Sequence, residues 1–99
     1  MVIELPKVSG FESSVLYKLG AKEILDYLSK VKEERFSNLA KLDVFRTTAT
    51  LAHRLRELEI AGYIVKSIHN KPGYPVNIFY KISEKGQRAL ELLRNLENL

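Results

Sequence analysis

Ninety-nine residues, 45% of them hydrophobic, suffice for one small domain with one modest core. The chain has no cysteine, which excludes a disulfide framework, a thiolate metal site and a cysteine nucleophile. Lys and Arg number 16 against 12 Asp and Glu, a formal net charge of +4, and an excess of this sign favours a polyanionic partner.

The N-terminal stretch MVIELPKVSG carries neither the basic nor the apolar region of a signal peptide. No apolar run approaches the ~20 residues of a membrane span. A cytoplasmic protein with no membrane partner is expected. Abundant Lys and Glu with a single Gln is a composition in keeping with a thermophile.

Residues 1–10, with Pro6 and Gly10, predict an irregular arm. Phe11, Val15 and Leu19 then recur at helical spacing, and Gly20 marks a join. Ala21, Ile24, Leu25, Leu28 and Val31 predict an amphipathic helix over 21–31. Lys32-Glu33-Glu34-Arg35 is expected to be a solvated turn. Its carboxylates have no apolar surroundings that would tune them for acid–base work. Phe36, Leu39 and Leu42 predict a short helix over 36–42, and Asp43-Val44 the turn after it. In a helix-turn-helix, an apolar residue usually sits five positions before the first core leucine. Arg46 stands there, so Phe45 is expected to fill the slot. Thr47 can cap the next helix with its hydroxyl.

That helix carries Leu51, Leu55 and Leu58 on one face. At about 100° per residue, Ala49, Thr50, His53 and Arg56 fall on the other, which has no large apolar group. The helix should end at Ala61-Gly62, because glycine accepts the left-handed conformation of a helix terminus. Two β-rich runs follow, Tyr63–His69 and Val76–Ile82. Pro72-Gly73 between them is the central pair of a type II turn. Ile78, Tyr80 and Ile82 alternate onto one face with Ile64 and Ile68, leaving Phe79 and Lys81 outward. Ser83 caps a last helix that bears Ala89, Leu90, Leu92, Leu93, Leu96 and Leu99.

These elements predict a mainly α fold with a small antiparallel β-hairpin, a winged helix-turn-helix, as one domain over residues 1–99. A helix of this kind fits a major groove while a hairpin tip reaches the flanking minor groove or backbone. The bland alternative is an ordinary surface helix beside an ordinary hairpin. Two features favour double-stranded DNA as partner. The far face near the helix start holds Thr, Ala and His rather than Glu/Lys pairs. Between Lys41 and Lys81 lie seven basic and three acidic residues, so this segment carries the whole net charge of +4. The DNA-binding candidates are Arg46, Thr47, Thr48, Ala49, Thr50, His53 and Arg54, with His69, Asn70 and Lys71 at the wing tip. The wide leucine stripe of the last helix, Leu92, Leu93, Leu96 and Leu99, with Phe11 and Val15, is expected to join two copies about a two-fold axis.

The segments LGAKEILDYLSKVKEERFSNLAKL, LAHRLRELEIAGYIVKS and YPVNIFYKISEKGQRAL follow one another in this order. Together they resemble the HxlR-type winged-helix regulators within the wider MarR/ArsR-like group. Arg35-Phe36 matches the pair that opens that family's second helix, and Tyr80–Gly86 matches its Tyr-x-Leu-Thr-x-x-Gly wing return. The resemblance covers Lys18 to about Leu96. It implies a homodimer that binds operator DNA, with terminal helices at the dimer interface. The family usually has a cysteine near its N-terminus and a tryptophan after the Gly-Lys. This chain has neither, so thiol sensing is not among the implied properties.

Besides a sequence-specific regulator, the residues allow a sequence-independent architectural DNA binder or a winged helix used for protein contacts. An enzyme is not expected. There is no phosphate-binding glycine loop and no HExxH spacing, and His53 and His69 lie too far apart in the pattern to suggest a metal pair. No cofactor is expected.

Overall fold

The computed structural model describes residues 10–98. The N-terminal arm before Gly10, and Leu99, lie outside the described residues. Five helices and three strands follow in order: α1 (Gly10–Val15), α2 (Ala21–Lys30), β1 (Glu34–Arg35), α3 (Phe36–Leu39), α4 (Thr48–Ile60), β2 (Ile64–His69), β3 (Asn77–Ile82) and α5 (Glu84–Glu97). The strands form one antiparallel sheet in the order β1-β3-β2. This is a winged helix.

The core gathers one stripe from each helix. Ile24, Leu25 and Leu28 of α2 meet Leu51, Leu55 and Leu58 of α4 and Leu90 of α5, all fully or almost fully buried. Burial of side chains this size stabilises by about 1.5–3 kcal/mol each. Phe45 is buried and packs its ring against Gly20, where an added Cβ would lie within 2.2 Å of it. The aromatic therefore does fill the slot before α4, and the adjacent Arg46 is left exposed.

The caps are local and behave as expected. The Thr47 hydroxyl accepts from the Thr50 amide at 3.2 Å. The Ser83 hydroxyl accepts from the Gly86 amide at 3.0 Å and donates to the Gly62 carbonyl at 2.6 Å. At the far end of α4, Lys85 Nζ donates to the Ala61 carbonyl at 2.6 Å, a cation at the negative end of the helix dipole. In the wing, the Tyr74 amide donates to the Lys71 carbonyl at 3.0 Å, and Gly73 has φ 82°. That is the positive φ a type II turn requires at its second central residue.

Three expectations are corrected. The helix through Phe11, Val15 and Leu19 stops at Val15, after which i→i+3 bonds tighten the chain and Leu19 is exposed. The charged turn at 32–35 contains β1, because Glu34 and Arg35 pair with Tyr80 and Phe79. Glu34 is not simply solvated either. It accepts from the Tyr27 hydroxyl at 2.6 Å and from Asn38 Nδ2 at 2.7 Å, and the Tyr27 and Asn38 bonds hold its carboxyl below the ordinary range. The hairpin face of Ile64, Ile68, Ile78, Tyr80 and Ile82 is core only at its inner end. Ile64 and Tyr80 are buried, whereas the cross-strand pair Ile68 and Ile78 is exposed.

Candidate nucleic-acid interface

The outer side of α4 begins with Arg46, Thr47, Thr48 and Ala49, all exposed, and continues through half-buried Thr50 to exposed Ala52 and His53. Thr47 and Thr50 share a hydroxyl contact of 2.9 Å as well as the cap bond, which fixes both rotamers at the helix start. His53 keeps 70% of its side-chain surface exposed, with Nε2 3.5 Å from Glu57 Oε1.

Arg54 does not belong to this surface. It is 9% exposed, and its Nε donates to the Leu19 carbonyl at 2.8 Å while Nη1 binds Glu57 Oε1. The expectation that Arg54 contacts DNA is overturned by its position in the core stripe, three residues after Leu51 and four before Leu58. Glu57, 6% exposed, completes the arrangement by also accepting from Lys18. Burial pushes the Glu57 carboxyl up, but the Lys18 hydrogen bond and the Arg54 and Lys18 charges outweigh it and leave the carboxyl below its ordinary value. One buried carboxylate thus fastens α4 to the link between α1 and α2. The sequence signal was present: Glu57 stands three residues after Arg54 on the same helix face.

The wing tip presents Asn70 and Lys71, both exposed. His69 turns back from the tip. Its ring meets Phe79 edge-on, centroids 4.8 Å apart, and its Nε2 lies 3.6 Å from Glu33. Arg35 covers the same Phe79 ring at 5.2 Å. Phe79 therefore faces away from the core, as its alternation predicts, and is partly covered there. The sheet's other face meets α4 at an open cleft of about 450 Å³ lined by Ala52, Arg56, Glu59, Ile60, Lys66 and Tyr80. The outer face of α4 and the hairpin therefore share one side of the molecule. Among the described residues, no cluster of three or more His, Asp and Glu converges where a metal could be held.

The proposed dimer residues divide. Phe11, Leu92 and Leu96 are 41%, 58% and 47% exposed, whereas Val15 and Leu93 are buried within their own chain. A shallow apolar groove between α1 and α5 includes Leu16, Tyr17, Ala89 and Leu92. The end of α5 is also tied to α2, by ion pairs of Arg94 with Asp26 and Lys22 with Glu97.

A helix-turn-helix with a clear outer face on its second helix and a hairpin beside it defines the winged-helix transcriptional regulators. The chain belongs to the HxlR-like helix-turn-helix family, whose pattern matches residues 20–99. It is 35% identical over 89 residues to an uncharacterized HTH-type transcriptional regulator from the thermophile Methanocaldococcus jannaschii, covering 84% of this chain and 76% of that one. The crystal structure of diamide-treated YodB from B. subtilis superposes with a TM-score of 0.76 at 26% identity, covering 98% of this chain and 92% of that one. The reduced redox regulator HypR superposes with a TM-score of 0.75 at 18% identity, covering 89% and 84%, a likeness of fold alone. The family is one of DNA-binding regulators of transcription and not of enzymes. Among the described residues no helix is long and apolar enough to cross a membrane.

Proposed function

We propose that the chain, acting as one domain over residues 1–99, binds operator DNA in the cytoplasm as a homodimer. In this reading α4 enters the major groove and the hairpin reaches the flanking minor groove or backbone. The observation that carries it is the exposed stripe of Thr48, Ala49, Ala52 and His53. It has no large apolar side chain, and at Ala52 it meets the cleft that Lys66 of the hairpin lines. Ala and Thr methyls suit thymine methyls, and hydroxyl and imidazole suit base edges. Arg46, Thr47, Thr48 and Lys71 hold phosphates, and Asn70 lies with Lys71 at the wing tip.

The two sets of contacts fail differently. Thr50→Ala or His53→Ala should relax base preference at about 1–3 kcal/mol per lost contact and largely spare binding to random DNA. Lys71→Ala should weaken all sequences alike and lower the salt slope by about one unit. Fluorescence anisotropy on operator and random duplexes measures both. If His53→Ala and Lys71→Ala give the same uniform loss, α4 reads no bases and the chain is an architectural binder. Absence of duplex binding would leave a protein-contact module.

Two half-sites need two helices held at a fixed spacing. Leu92, Leu96 and Phe11, exposed along α1 and α5, support a two-fold contact there. Leu92→Glu combined with Leu96→Glu should give a folded monomer with weak operator binding. Leu93 is unsuited to the test because it is buried in its own chain. Sedimentation of the wild type as a monomer at micromolar concentration would contradict the homodimer.

A further inference from the structure

We infer that the cleft between α4 and the hairpin seats the sugar-phosphate strand of DNA, with Arg56 and Lys66 as its phosphate-binding residues and Glu59 as an opposing charge. This rests on the reading above. In a duplex, a major groove and the adjacent minor groove are separated by one sugar-phosphate strand. A protein with α4 in the first and a wing in the second must pass that strand between the two elements. The open cleft of about 450 Å³ between α4 and the hairpin face is the space available for it.

The walls fit a polyanion. Ala49, His53, Arg56 and Ile60 follow one another along α4 at i, i+4, i+7 and i+11, so the reading face runs without a break into the cleft. Across it, Lys66 stands on β2 opposite Tyr80 of β3. Arg56 and Lys66 are both exposed. Among the described residues neither makes an ion pair, whereas Lys18, Arg54, Lys85 and Arg94 all do. Cations without an ion-pair partner at a groove of this kind are available to displace the counterions of a phosphate backbone. Ile60, 65% exposed at the same wall, offers an apolar surface to deoxyribose. Tyr80 forms the buried floor, its hydroxyl pushed up by burial and then by the Glu59 charge.

Glu59 makes the proposal sharp. It is exposed in the cleft between the two cations' elements, where it repels a phosphate. Its removal should therefore strengthen binding, an outcome that misfolding cannot imitate.

The test is fluorescence anisotropy of the full chain with operator and random duplexes over a series of salt concentrations. Arg56→Ala and Lys66→Ala should each weaken both duplexes several-fold and flatten the log–log salt dependence by about one unit, and the double variant by about two. Glu59→Gln should raise affinity for both duplexes by about two- to fivefold, the scale of one exposed charge interaction. Three results would overturn the proposal while leaving the operator-binding reading standing. These are a double variant with wild-type affinity and slope, a loss confined to the operator, and a Glu59→Gln variant no tighter than wild type. A wild type that binds no duplex would remove both readings together.

Discussion

Replacing Glu57 with alanine should cost about 3 kcal/mol of folding stability, the low end of the range for breaking a buried ion pair. The carboxylate is the common acceptor of Lys18 and Arg54. Without it the Arg54 guanidinium stays in the core with only the Leu19 carbonyl as partner. For a domain of this size the melting temperature should fall by roughly 12–24 °C. Replacing both residues with apolar ones, Arg54→Met with Glu57→Leu, should recover much of the loss, since an uncompensated charge costs more than a missing pair. Equal destabilisation by the single and double variants would show that the ion cluster is not what the single change disrupts. The same carboxylate sets an acid limit. Its folded pKa lies below its ordinary value of 4.5. Its contribution is therefore full above that pH and is lost as pH falls through the depressed folded value. Asp26 and Glu34 are depressed in the same direction, by Arg94 and by Tyr27 respectively, and steepen the loss.

Gly86→Ala should destabilise by about 3 kcal/mol, the upper end of the cost of overpacking. The sign is the opposite of the ordinary one, because alanine in a helix interior usually gains about 1 kcal/mol over glycine. Here the added Cβ would stand 2.1 Å from the Tyr63 carbonyl oxygen and 2.7 Å from Ile82 Cγ1. The obstacle is backbone, and that carbonyl already accepts from the Ser83 amide at 3.0 Å. Relief requires moving α5 away from the entry to the hairpin. Gly10→Ala, with nothing within 4 Å of the new atom, is the control and should change little. A Gly86→Ala variant that melts with the wild type would mean that α5 does not pack on Tyr63 in solution.

Much of this molecule was legible because the deciding interactions are local. Thr47, Ser83 and Pro72-Gly73 each fix a boundary or a turn within four residues, and all three behave as their side chains require. What was not legible depends on partners distant in sequence. Glu34 and Arg35 have no strand pattern of their own and become β1 only because β3 runs beside them. His69 alternates outward, yet Glu33 and Phe79 draw it back from the tip. Arg54 is the instructive error. Its charge argued for the surface, its spacing from Leu51 and Leu58 argued for the core, and spacing won because the Glu57 carboxylate and the Leu19 carbonyl supply the compensation. The outer stripe of α4 needed no such partner, so Ala49 and His53 lie exposed where the periodicity puts them.

Selection of bound fragments from a random-sequence duplex pool, followed by sequencing, tests the central claim most directly. A homodimer reading bases through α4 should enrich a pseudo-palindromic site whose half-sites are about 10 base pairs, one helical turn, apart or a multiple of that. Retention of the pool with no enriched sequence, or no retention at all, would contradict it.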